Sequence, residues 1–279
     1  MLFVLPSTVL FVLFVLWPFI KAIKTSFYDY SISGMKFVGI KNYAKILSDP
    51  IAIKTIFNTI RYVVIIVPIV LFSALLISLA IYQRGTVIKS YIRCVFYLPA
   101  VVPSVCLAVV WKWLYNVNFG LLNSIITRFG AEPVNFLGDP GIAIYSVMLI
   151  VITWILGQPI VLFTAALGGI PETLLESAEL DGAGAWKKFW FVTWPLLKPT
   201  TLYVMVTLTI GVMQVVEAVM LTTNGGPYYA SNSMLLLIYN EAFKLNHLGY
   251  ATAIGNIMFV IVLIISLIQF KTMSSDVEY

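Results

Sequence analysis

Residues 170–199 read "IPETLLESAELDGAGAWKKFWFVTWPLLKP". This is the longest stretch of the chain that carries charge in quantity, and it lies between two of the most hydrophobic runs. Glu172, Glu176, Glu179, Asp181, Lys187, Lys188 and Lys198 all fall within it. Pro171 suits the first position of a helix and Glu172 the first turn, and Leu174, Leu175 and Ala178 follow at helical spacing, so residues 170–180 form a short amphipathic helix. Asp181 and Gly182 break it, because glycine accepts a positive φ that other residues resist. Trp186, Phe189 and Trp190 then recur at i, i+3, i+4 in a second short helix, which Pro195 and Pro199 are expected to stop. Two short helices at a tight bend make a knob shaped to fit a groove on another protein. The alternative from spacing alone is a solvated loop with a charged face.

The surroundings of this island define the fold class. Of the 279 residues, 61% are hydrophobic and 10% charged, whereas a soluble domain has about 25% charged residues. The chain is therefore an integral membrane protein. Runs of about 20 apolar residues, enough to cross a hydrocarbon core of about 30 Å, occur six times: 2–20, 56–82, 94–115, 142–169, 201–221 and 251–270. Strand-like alternation is absent, so the expected fold is an all-α bundle of six transmembrane helices in one domain. The first run lacks a preceding basic residue and a following cleavage site, so it reads as a retained span rather than a signal peptide. A chain starting directly on a membrane helix is expected either to lack a short cytoplasmic leader or to have an unusually tight start.

Charge does not orient the bundle. Lys21, Lys24, Lys36, Lys41, Lys45 and Lys54 crowd the connection after the first run, while Arg84, Lys89, Arg93, Lys187, Lys188 and Lys198 lie on the opposite side. Cys94 and Cys106 read as packing residues of the third span. His247 has no partner at ligand spacing, so no metal is expected. No phosphate loop, HExxH or GxSxG occurs, and "GAGAWKK" lacks the spacing of a nucleotide site. The chain is expected to have no catalytic residues, no cofactor of its own and no nucleic-acid partner.

Polar groups at membrane depth are costly and point to function. Trp154, Gln158, Gln214, Glu217 and Asn256 stand out; Gly157 and Pro159 flank Gln158 and loosen its helix. At about 1.5 Å per residue, the four polar residues Gln158, Gln214, Glu217 and Asn256 lie roughly 18 to 26 Å from the charged end of their spans, in one layer. Neutral polar groups beside an aromatic face suit sugar hydroxyls and rings. Interhelical hydrogen bonding is the other reading of Gln158, Gln214 and Asn256, and pairing with a basic residue of a partner chain the other reading of Glu217. Outside the membrane, Lys41 to Leu47 reads as a short amphipathic helix, "TTNGGPYYASNS" (222–233) as a flexible loop, and the aromatics of "WKWLY" (111–115) as an interfacial belt.

The order Ile170-Pro171, Glu176-Ser177-Ala178, Asp181-Gly182-Ala183, Phe189, Thr193, Pro195, Pro199 resembles the EAA loop of permease subunits in binding-protein-dependent ABC importers. The usual Glu-Ala-Ala is Glu-Ser-Ala here. "SFYDY" (26–30), "FVGIKNYAKILSDP" (37–50), "FYLPAVVPS" (96–104), "LTTNGGP" (221–227) and "GYATA" (249–253) extend the resemblance to the carbohydrate branch, which contains the larger maltose-transporter permease. The resemblance implies a type I importer permease fold in a prokaryotic plasma membrane, with the 170–200 loop cytoplasmic and the lysine-rich first loop outside. It also implies a second homologous permease, two ATP-binding cassette ATPases that bind ATP and Mg, an extracytoplasmic solute-binding protein, and a carbohydrate cargo amid membrane lipid. Glu176, Ser177, Ala178, Asp181, Gly182, Ala183 and Pro195 would then be the ATPase-coupling residues. Import of a non-sugar solute and ion-coupled secondary transport are the rival functions.

Overall fold

The computed structural model describes residues 4–31 and 34–273. Four helices among these are long and apolar enough to cross a membrane: Leu5–Thr25, Pro50–Tyr82, Ala185–Thr222 and Leu248–Met273. Two bent pairs, Thr86–Val101 with Ser104–Leu114 and Ala143–Ile155 with Gly157–Gly168, bring the number of candidate spans among the described residues to six when each pair is counted as one. Leu2 and Phe3 of the expected first run, and the end of the tail, lie outside the described residues.

The second span is the mast of the bundle. Asp49 caps it by accepting from the Ile51 N–H at 2.8 Å, and Pro50 enters its first turn without costing a hydrogen bond. Its 33 residues reach about 50 Å, well beyond the thickness of a hydrocarbon core. Tyr62, Ile66 and Val70 are fully buried, packed with Ile150, Ile160 and Phe163 of the fourth span and Val204 of the fifth.

Three spans differ from uninterrupted runs, each for a local reason. The third is not a rod: its two arms meet at 99°, with Val102 held extended (ψ 133) by the following Pro103. Cys94 and Cys106, expected to pack inside, are exposed on these arms. The fourth bends by 43° at Leu156, four residues before Ile160 and three before Pro159, whose ring cannot accommodate a straight helix. A Cβ on Gly157 at this bend would stand 2.5 Å from the Phe96 carbonyl oxygen and 2.6 Å from the Tyr97 Cα, so only glycine lets the third span approach this closely.

The fifth span corrects the expected stop at Pro195. Helix runs from Ala185 through both Pro195 and Pro199. A π turn at Phe189–Thr193, closed by the Trp194 N–H on the Phe189 carbonyl, widens the chain just ahead of Pro195. The same device, Val12–Leu16, precedes Trp17-Pro18 in the first span. Pro199, by contrast, stands inside the helix Trp194–Met213 with no π turn directly ahead of it.

Outside the bundle, an unexpected two-stranded hairpin pairs Tyr28–Ser31 with Gly34–Phe37, with the Tyr28 and Phe37 rings 5.3 Å apart. It is followed by the expected short helix, Lys41–Ser48. Residues 222–233, expected to be flexible, form a plug whose root, 230–233, is buried, with Ser231 and Ser233 0% exposed, while its tip stands out, with Tyr228 83% and Tyr229 46% exposed. Thr55, Asn58, Thr59 and Tyr62, spaced along one face of the second span, hold it. Asn58 Nδ2 donates to the Tyr229 carbonyl at 2.9 Å, Tyr62 Oη to the Ser231 carbonyl at 2.8 Å, and the Met234 N–H to Thr59 Oγ1 at 2.9 Å. Asn232 Nδ2 reaches Thr55 Oγ1 at 3.0 Å.

Tyr62→Phe leaves the Ser231 carbonyl buried without its donor, at a cost of about 1–3 kcal/mol. The expected result is a thermal midpoint lower by roughly 2 to 8 °C in detergent, whereas Tyr203→Phe at an exposed position leaves the midpoint unchanged.

Candidate functional site

Two helix breaks at similar depth open one hollow. The bend at Leu156 separates Trp154 from Gln158 and turns both toward the fifth span. Facing them, helix stops at Met213 and restarts at Glu217, with Val216 at φ −135. Between the two lies a cavity of about 340 Å³ whose polar lining is Trp154, Gln158, Thr207, Gln214 and Glu217. Gly211 contributes no side chain to its wall, which leaves the space open.

The breaks are satisfied by the protein where they touch it. Gln214 and Val215 N–H groups turn back to the Gly211 and Val212 carbonyls at 3.2 and 3.1 Å. The Val215 carbonyl accepts from Ser233 Oγ at 2.6 Å, and Ser233 also caps the helix Met234–Tyr239. The outer plug thereby fixes the lip of the cavity. By contrast, the side chains of Gln158, Gln214 and Glu217 make no hydrogen bond or ion pair with any described residue, and all three are exposed.

The structure therefore brings together Trp154, Gln158, Gln214 and Glu217, and it separates Asn256 from them. Asn256 Nδ2 donates to Tyr43 Oη at 3.0 Å, so it braces the outer helix Lys41–Ser48 against the sixth span. Depth along a helix sets height; the face a residue takes is a separate angular coordinate, and here it points the other way. Thr207 went unnoticed in sequence because a membrane threonine usually bonds its own backbone, as Thr207 Oγ1 does with the Tyr203 carbonyl at 2.8 Å. Ser233 carried no signal at all, its partner lying 18 residues away.

The polar island forms a second feature. Pro171 is the residue just before the helix Glu172–Leu180 rather than its first residue. Gly182 takes φ 75, and the Ala183 N–H closes on the Ala178 carbonyl at 2.9 Å. Ser177 Oγ bonds the Thr173 carbonyl at 2.7 Å, so the serine is satisfied within its own helix. Lys188 pairs with Glu179 and ties the two helices. Glu176 and Asp181 are exposed without a described partner, and Leu180 (90% exposed), Trp186 and Phe191 stand bare around them. The rings of Trp186, Trp190 and Trp194 step along the second helix at 5.7 and 5.9 Å. No group of three or more metal-ligating side chains occurs among the described residues, and His247 instead contacts Glu241 at 2.9 Å.

Residues 52–271 match the family described as binding-protein-dependent transport system inner membrane component, and the chain belongs to that family. It is a multi-pass inner-membrane protein. It is 31% identical over 283 residues, 99% of this chain and 96% of the relative, to the probable ABC transporter permease protein YurN of Bacillus subtilis (strain 168). It is 30% identical over 275 residues, 96% of this chain and 92% of the relative, to the lactose transport system permease protein LacF of Rhizobium radiobacter. Its fold matches that of a bacterial ABC transporter involved in the import of the acidic polysaccharide alginate, with TM-score 0.85 over 97% of this chain and 93% of the other at 22% identity.

The two glycines of the cavity region predict opposite outcomes. Gly157→Ala must push the Phe96 and Tyr97 backbone aside and is expected to cost about 1–3 kcal/mol. Gly211→Ala meets nothing within 4 Å and leaves stability unchanged. Thermal unfolding of the two purified variants checks this.

Proposed function

We propose that this family member is the transmembrane permease subunit of an ATP-driven ABC importer, carrying a carbohydrate, an oligosaccharide or related polyol, by alternating access. The observation that supports this best is the hollow itself: neighbouring spans break at one depth and leave Gln158, Gln214 and Glu217 without protein partners around it. Broken helices around a midplane site are the usual way a transporter presents polar groups to cargo inside a membrane. Amide and carboxylate groups accept hydroxyl hydrogens, and the Trp154 indole offers a flat apolar face to a sugar ring. The sugar-transport names among its relatives agree with that chemistry.

The polar island at 170–200 is the coupling loop, lying in the cytoplasm. Exposed Leu180, Trp186 and Phe191 seat it in a cleft of an ATPase subunit, and Glu176 pairs with a basic group there. Ser177 and Ala178 keep that helix face small, Asp181, Gly182 and Ala183 make the turn, and Pro195 follows the π turn that leads into the membrane. Helix runs unbroken from Ala185 to Met213, so a displacement of the loop moves the cavity wall as one body. Two such ATPases would bind ATP and Mg, and this chain would hold no cofactor. A second, homologous permease would close the open side of the cavity, and an extracytoplasmic solute-binding protein would deliver cargo.

Gly182→Leu places a side chain at φ 75, a conformation that costs an L-residue about 1–2 kcal/mol. In proteoliposomes of the assembled transporter it is expected to abolish uptake while ATP hydrolysis persists; unimpaired uptake would refute the coupling role. Glu176→Ala is expected to lose the copurifying ATPase. Trp154→Ala and Gln158→Ala are expected to slow sugar uptake, and Asn256→Ala to leave it unchanged.

A further inference from the structure

The transported solute's charge is left open by the resemblances, which include a lactose permease and an importer of an acidic polysaccharide. The cavity is more specific. Of the described side chains lining it, Glu217 alone is charged; Trp154, Gln158, Thr207 and Gln214 are neutral, the rest are apolar or glycine, and no described lysine, arginine or histidine lines it. Glu217 opens the helix Glu217–Thr222 just after the break and forms no ion pair with any described residue. We infer that this cavity selects an uncharged saccharide and rejects anionic ones, such as those bearing uronate, sulfonate or phosphate groups, with Glu217 as the excluding residue. The inference rests on the cavity being the solute path.

The physical basis is a single carboxylate on the cavity wall with no ion-pair partner among the described residues. Its oxygens accept hydrogen bonds and donate none, so they suit a pair of sugar hydroxyls. A second anion brought to about 6 Å meets a repulsion worth roughly a hundredfold in affinity at an effective dielectric constant of about 20. Gln214 and Gln158 offer amide donors to an anion, but without a cation they do not offset that repulsion.

The test uses the assembled transporter in lipid nanodiscs without the binding protein, so that selection upstream does not mask the cavity. Calorimetric titration compares a neutral trisaccharide with the same trisaccharide ending in a uronic acid. The native transporter is expected to bind the uronate roughly a hundredfold more weakly than the neutral sugar, and Glu217→Gln to narrow that ratio by at least about tenfold, whatever it does to the affinity for the neutral sugar itself. Equal binding of both sugars by the native transporter, or an unchanged ratio in Glu217→Gln, overturns the inference. So does release of the partner permease on Glu217→Gln, seen by size-exclusion chromatography, since Glu217 would then be the counter-ion of a basic partner residue. Gln158→Ala separates the levels. If it leaves neutral-sugar binding intact, the cavity reading itself fails; if it weakens that binding while the Glu217 ratio stays fixed, only the charge inference fails.

Discussion

Everything in this molecule follows from the rule that a backbone amide or carbonyl in hydrocarbon must find its partner within the protein. An unbroken helix meets the rule by itself, and a broken one needs help. The chain breaks helix near Val102, at Leu156 and between Met213 and Glu217. At Val215 the answer comes from Ser233 Oγ, at 2.6 Å. Ser233 in turn is held in the plug that Thr55, Asn58, Thr59 and Tyr62 fasten to the second span. The polar stripe Thr55, Asn58, Thr59 and Tyr62 on the second span thus holds, through the plug, the irregular backbone at the cavity lip.

The same rule explains which features were legible in sequence. Spans showed as apolar runs, the loosening near Gln158 as Gly157 and Pro159, and the polar island as charge where the rest of the chain had none. The plug did not show, because Gly, Pro and Asn at 222–233 look the same whether a loop is solvated or buried. Its warning lay elsewhere, in the i, i+3, i+4, i+7 spacing of Thr55, Asn58, Thr59 and Tyr62, and its meaning appears only when the partner strand of backbone is in place. Asn256 lies away from the cavity and donates to Tyr43 Oη, which spacing along its own helix could not show, since depth along one helix carries no azimuth.

Prolines misled in both directions. Pro195 stands just after a π turn in a helix that does not stop. Pro103 falls within an apolar run that turns by 99°. The difference is the residue before each ring: Val102 is extended (ψ 133), while Trp194 stays helical (φ −61, ψ −46) with its N–H bonded to the Phe189 carbonyl.

That π turn has a consequence for how the molecule can be tuned. A turn holding one extra residue shifts the angular phase of all that precedes it by about 100° relative to an uninterrupted α-helix. The direction in which Trp186 and the helix before it face around the axis of the fifth span is therefore a matter of residue count between Phe189 and Thr193. Like a coupling keyed at one tooth of a shaft, the loop can be re-indexed toward a different neighbour by a single insertion or deletion there. The cavity, more than ten residues farther along the same helix, keeps its own alignment.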